Sequence, residues 1–133
     1  MQITYADGPG DYRPGACNIG PAEIARRRRS GLVTVAFAVV VAIGLVAVAA
    51  PPWTRLIVFL PLAGGIVGLE QARRRFCAGF AMAGIRNFGP LGHPQRVGDD
   101  ADRARDRRSA FVLFGYSSAI AAVITLLFVV LPV

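Results

Sequence analysis

Three long apolar blocks dominate the pattern of apolar and polar positions along the chain. Gly31 to Ala50 (GLVTVAFAVVVAIGLVAVAA) runs for twenty residues without a charge. As an α-helix at about 1.5 Å per residue it covers about 30 Å, the thickness of a bilayer hydrocarbon core. Val and Ile are frequent in it, but a lone strand in lipid would leave its backbone groups unpaired, whereas a helix pairs them internally. Trp53 to Leu69 (WTRLIVFLPLAGGIVGL) is the second block, and its single charge, Arg55, lies near the end, where it is expected to snorkel to the headgroups. Ala110 to Leu131 is the third, twenty-two residues with no charge. Pro51 and Pro52 are expected to end the first helix, Trp53 is placed as an interfacial aromatic, and Pro61 predicts a bend in the second helix. The link between the first two blocks is so short that they must form an antiparallel hairpin.

The polar segments divide the rest. Residues 1–20 carry several Gly and Pro without periodicity and predict a flexible, solvent-exposed cytoplasmic arm. Gly20 as N-cap, Pro21 at the first helical position and Glu23 in the first turn mark a helix start. The unit 21–50 is thus a basic lead-in plus the first transmembrane helix, and 51–69 a turn plus the second. Residues 70–109 form an Arg-rich loop, within which 76–89 (FCAGFAMAGIRNFG) is apolar but too short to span and predicts an interfacial helix. In Asp99 to Arg108 the acids come early and the arginines late, which suits a helix dipole. Asp99–Arg103 and Asp102–Arg105 stand at helical pairing distance, so this run reads as the start of the third helix, 110–133. The predicted fold class is an all-α membrane protein: three transmembrane helices, an antiparallel hairpin plus a third span, with a short interfacial helix.

Composition agrees. Of 133 residues, 54% are hydrophobic and 17% charged, with a mean hydropathy of +0.50, too apolar for a soluble domain this small. All fifteen basic residues are Arg and the formal net charge is +7. Five Arg precede the first span, nine lie between the second and third, and the intervening turn has Arg55 alone. The positive-inside rule therefore places the N-terminus and central loop in the cytoplasm and the C-terminus outside. Small size and arginine-only basicity point to a bacterial inner membrane. Because the arginines gather at span ends, they read as topology determinants and not as a nucleic-acid surface. Arg26 to Arg29, the first apolar block and Ala47-Val48-Ala49 also resemble a secretory signal with a cleavage site, but the apolar core is long and a second apolar block follows at once.

Few residues offer chemistry. No Asp, Glu, Lys, Arg or His lies deep in a span, and no catalytic constellation, metal-ligand spacing or phosphate loop occurs, so neither enzyme activity nor a cofactor is expected. Cys17 precedes the first span and Cys77 follows the second, so the hairpin brings both to one end. They are read either as small apolar packing residues or as a thiol pair for sulfane sulfur, a soft metal ion or a redox signal. Arg73 to Arg75, beside Cys77 in sequence, supply positive charge that favours a thiolate. Gly64 and Gly68, with Gly65 adjacent, allow close helix approach. The partner is either another protein's helix or the first span through Ala38, Ala42 and Gly44. Arg26, Arg27, Arg28, Arg29, Arg73, Arg74 and Arg75 are candidate headgroup contacts or topology signals. In the third span Tyr116, Ser117, Ser118 and Thr125 predict interhelical or back-to-carbonyl hydrogen bonds.

The segments CNIGPAEIARRRRSG and RRFCAGFAMAGIRNFG, flanking two apolar spans joined by a tight turn, resemble the YgaP-like inner-membrane transmembrane domain family, a two-helix hairpin. Asn18 and Gly20 match its first motif, and Phe76, Cys77, Gly84 and Ile85 its second; the likeness covers residues 17–89. Ala78 stands where the family has Pro, and a third span is added. The family occurs alone or fused to a rhodanese, but no rhodanese sequence lies in these 133 residues, so the resemblance implies architecture and no sulfurtransferase reaction. The leading functional expectation is a non-catalytic accessory or structural subunit that packs against partner membrane helices or its own copies. The thiol module and a small oligomeric channel or transporter are the alternatives, with membrane lipids as further partners.

Overall fold

The structure, a computed structural model, describes residues 12–133. Helix α1 spans Pro21–Ala47, a 3-10 segment covers Pro52–Val58, and α2 follows over Phe59–Arg74. A short α3 (Ala78–Ala83), strands β1 (Ile85–Arg86) and β2 (Gln95–Arg96), and α4 (Asp100–Val130) complete the chain. Three helical stretches are long and apolar enough to cross a membrane: Pro21–Ala47, Pro52–Arg74 and Asp100–Val130. The protein is an all-α membrane protein with almost no sheet. α2 is central, with α1 running antiparallel along one side and α4 packed on it and on α3.

Local sequence accounts for most boundaries. Gly20 and Pro21 start α1 as the sequence predicts, without a side-chain cap. α1 ends at Ala47, before the prolines, and Ala49 turns the chain with a left-handed φ of 53°. Pro61 does not interrupt a long helix: the backbone is 3-10 up to Val58, and Pro61 falls in the first turn of α2, where few backbone donors are required. Asp99 N-caps α4 by accepting the Ala101 N–H at 3.0 Å, so Arg103 pairs with Asp100, one residue on from its expected partner, while Asp102 stands 3.9 Å from Arg105.

Three other expectations change. The interfacial helix expected over 76–89 is helical only at 78–83. Gly84, at a left-handed φ of 74°, ends it, and Ile85 and Arg86 pair antiparallel with Arg96 and Gln95. The described part of the arm is irregular and only partly exposed: Arg13 and Ala16 face solvent, but the end of the arm does not. Cys17, Asn18 and Ile19 are buried, and Ile19 bridges Asn87 as an isolated parallel strand residue; residues 1–11 lie outside the described residues. Arg55 does not snorkel. It is 3% exposed, and its guanidinium donates to the Phe128, Leu131 and Val133 carbonyls at 2.9, 3.0 and 2.6 Å, capping the end of α4. A cation near a helix C-terminus offsets the helix dipole and satisfies carbonyls that otherwise lack partners.

Helix spacing is set by glycine, though not by the pairing the sequence suggests. Gly65 and Gly68 of α2 face Gly31 and Val35 of α1. A Cβ on Gly65 would sit 2.5 Å from Val35 Cγ2 and 2.9 Å from its backbone nitrogen, and one on Gly68 3.0 Å from Gly31 Cα. Gly64 looks outward, with only Thr34 within 4 Å, and Gly44 faces open space. Ala38 is buried one turn further along, clustered with Val58, Leu62 and Ala121, and Ala42 packs against that cluster. The small-residue face is therefore used inside the chain. Gly65→Ala should lower stability by about 1–3 kcal/mol because backbone must move, while Gly64→Ala should stay within about 0.5 kcal/mol; thermal unfolding in mild detergent compares the two.

Candidate functional site

The buried polar groups concentrate at the arginine-rich end, where the arm, the first turns of α1, the α2–α3 junction and the segment after α3 meet. Asn18 holds the junction with both ends of its carboxamide. Its Nδ2 donates to the Cys77 carbonyl at 3.1 Å and its Oδ1 accepts the Cys77 N–H at 2.7 Å. Its own N–H donates to the Arg75 carbonyl at 3.1 Å, and its carbonyl accepts the Asn87 N–H at 2.9 Å. Asn87 extends the clasp: its Nδ2 donates to Glu23 Oε2 and to the Pro90 carbonyl at 3.0 and 2.9 Å, and its Oδ1 accepts the Gly89 N–H. Gln71 accepts the Ala78 N–H at 2.8 Å. Asn18, Glu23 and Asn87 are essentially inaccessible. Buried polar groups of this kind are tolerable only because each finds partners.

Cys77 sits at the centre, 4% exposed. It is the N-cap residue of α3, its sulfur accepting the Phe80 N–H at 3.5 Å. Arg27 donates to the same sulfur through Nη2 at 2.9 Å, stands 3.1 Å from Glu23 Oε1 without hydrogen-bond alignment, and lies over the Phe80 ring. The charge beside the sulfur thus comes from α1, not from the arginines next to Cys77 in sequence. Arg73 and Arg74 bind Glu70 instead, Arg74 also lying over Tyr116, and Arg75 is the left-handed C-cap of α2. Arg26, Arg28 and Arg29 are exposed. Cys17 is buried in the neighbouring strand-like arm with its thiol directed at the Ile19 carbonyl, 4.0 Å away, and neither cysteine is in a disulfide. The two cysteine-bearing segments are joined through Asn18, as the hairpin predicts.

The arm is locked to α4 by a second buried group. Asp106 accepts the Tyr12 hydroxyl at 2.7 Å and the Gly15 N–H at 2.6 Å, and Ser109 donates to the Gly15 carbonyl at 2.7 Å. Burial and the Asp106 carboxylate push the Tyr12 phenol above its ordinary range, although the Arg86 guanidinium over its ring opposes this. The tyrosine's contribution to the lock is thus fully present below about pH 10, the usual tyrosine value, and weakens as pH rises beyond it. In α4, Ser117 and Thr125 are buried while Tyr116 is exposed; neither hydroxyl of the buried pair has a hydrogen-bond partner among the described residues. Among those residues no group of three or more His, Cys, Asp or Glu side chains comes together.

Sequence reasoning finds Asn18 and Cys77 but misses Asn87, Gln71 and the buried roles of Glu23 and Arg27. Two signals are available: a carboxamide inside an otherwise apolar stretch at Asn87, and the four-residue spacing of Glu23, Arg27 and Gly31, which puts them on one helix face. Asn18→Asp keeps the shape but sets a carboxylate against the Cys77 carbonyl. It should cost more than Asn18→Ala, itself about 1–3 kcal/mol, as read by thermal unfolding at neutral pH. Tyr12→Phe should speed amide exchange at Gly15 to Asn18 by roughly fivefold or more, in line with the loss of about 1 kcal/mol, and leave α2 unaffected.

No family model, curated protein or solved structure matches the chain.

Proposed function

We propose that the protein is a small non-catalytic accessory or structural subunit of a bacterial inner membrane, with the arginine-rich end in the cytoplasm and the end of α4 outside. One observation carries this reading. Asn18, Glu23, Gln71, Asn87 and Asp106 are all buried at the arginine-rich end, far more polar desolvation than three lipid-embedded helices need to stay together. Such networks hold a surface in one arrangement, and that surface carries exposed Arg28, Arg29, Arg96 and Arg107. A rigid basic platform suits docking against an acidic cytoplasmic face of a partner membrane protein. The proposed kinship with the YgaP-like family rests on the sequence matches at Asn18, Gly20, Phe76, Cys77, Gly84 and Ile85.

The glycine contacts limit how partner helices engage. Gly65 and Gly68 are occupied by α1, so docking runs through the platform and through outward apolar residues such as Leu32, Phe37 and Val40. Purified in mild detergent, the full chain should retain a stoichiometric membrane-protein companion. Arg28→Glu, Arg29→Glu and Arg96→Glu together should release it, whereas Val123→Ala, at an exposed position of α4 away from those α1 residues, should not. Native mass spectrometry reads the outcome, and a wild-type chain that purifies alone as a monomer contradicts the proposal.

A thiol-handling module is the second reading, favoured by the Arg27 guanidinium 2.9 Å from the Cys77 sulfur. Here Cys77 is the working thiol and Cys17 its neighbour across Asn18. A persulfide donor should load one sulfur on Cys77 of the intact protein and none on Cys77→Ser, measured by mass spectrometry of the peptide; absence of transfer to wild type removes this reading.

A further inference from the structure

One cavity lies where the charged start of α4 gives way to its uncharged span. It measures about 430 Å³, within the roughly 300–1,000 Å³ of ordinary ligand sites. Arg74 and Arg108 stand at its polar side with Ser109, and Phe76, Val112 and Leu113 form its apolar wall. The arm closes it at Gly15, held there by Ser109 and Asp106. The nearby carboxylates are already engaged. Glu70 binds both Arg73 and Arg74, and Asp106 accepts from Tyr12 and Gly15. Two guanidiniums line the cavity: Arg74, which shares Glu70 with Arg73, and Arg108, which has no ion pair among the described residues. Asp106 keeps its charge because its partners are neutral donors, so the three arginines outweigh the two carboxylates by one positive charge.

We propose that this cavity is a binding site for an anionic phospholipid, with the phosphate between Arg74 and Arg108 and the glycerol and first methylenes against Phe76, Val112 and Leu113. Position argues for a lipid over a soluble anion. The site lies at the boundary between the charged run ending at Arg108 and the apolar span beginning at Ala110, the depth of a phosphate in the adjoining leaflet. Below it, exposed Val112 and Tyr116 continue the face outward for acyl chains. Arginine presents a planar fork of donors to phosphate oxygens, and basic pockets between spanning helices are a recurrent way of holding anionic headgroups. Bound there, the lipid bridges the arm, the end of α2 and the start of α4.

The test uses the full chain in nonionic detergent with added phosphatidylglycerol or phosphatidylcholine, read by native mass spectrometry and thermal unfolding. Wild type should retain one phosphatidylglycerol at least tenfold more tightly than phosphatidylcholine. Arg108→Gln and Val112→Trp should each reduce that preference at least fivefold, the first by removing charge and the second by filling the apolar wall. Arg28→Gln with Arg29→Gln, which removes more charge from the open surface, should change it less than twofold. Since Arg74→Gln also disturbs Glu70, the decisive variants are Arg108→Gln and Val112→Trp, both at exposed positions. Equal loss in the Arg28/Arg29 control, or an undiminished preference in Arg108→Gln and Val112→Trp, overturns the site. Full displacement of the lipid by millimolar inorganic phosphate overturns it as well, since the site would then read the anion alone.

Discussion

The backbones of α1 and α2 touch at Gly31, Gly65 and Gly68, and much of the architecture follows from that contact. Lipid gives apolar helices no reason to prefer one another, so packing must supply it. The missing side chains matter because a Cβ on Gly31 would lie 2.9 Å from the Leu69 nitrogen, and one on Gly65 would lie within Val35. Glu23, Arg27, Gly31 and Val35 recur every four residues on α1, so the face that meets α2 in the span continues into the polar end. The glycine register therefore delivers Glu23 to Asn87 and Arg27 to Cys77.

The polar clasp then does what lipid-exposed helices cannot do alone. Asn18 ties the arm to the α2–α3 junction, Asn87 ties the segment after α3 to α1, and Asp106 ties the arm to α4. Arg55 performs the corresponding task at the opposite end, where it closes the last carbonyls of α4 onto the 3-10 segment. The two ends differ in kind. One is a network of side chains that ties five segments together, the other a single guanidinium over one helix terminus. That asymmetry locates the proposed platform and lipid site at the arginine-rich end.

Residues that act within their own segment are legible in the sequence. The long apolar runs mark the three spans, Gly20 and Pro21 the start of α1, and the acids at Asp99 to Asp102 the start of α4, because each effect depends on neighbours close in the chain. Contacts across long separations are not legible. Nothing local to Asn18 says that it clasps a residue fifty-nine positions away, and nothing local to Arg55 says that it turns inward to carbonyls more than seventy positions on. Gly31 is hidden for another reason. It sits at the edge of an apolar block among arginines, so the small residues deeper in the span draw the prediction toward Ala38, Ala42 and Gly44. The segment after α3 misleads because its apolar composition suits a helix, whereas Gly84 and the pairing of 85–86 with 95–96 end that helix after six residues.

Hydrogen exchange of the arginine-rich end in a chain wedged within the span tests the dependence of the clasp on the glycine contact. In Gly65→Leu, the amide protons of Asn18 and Asn87, which bond the Arg75 and Asn18 carbonyls in the native chain, should exchange at least tenfold faster than in wild type, while the C-terminal half of α4 keeps its protection. Unchanged protection at Asn18 and Asn87 would show that the clasp stands without the close approach of α1 and α2, and would contradict that dependence.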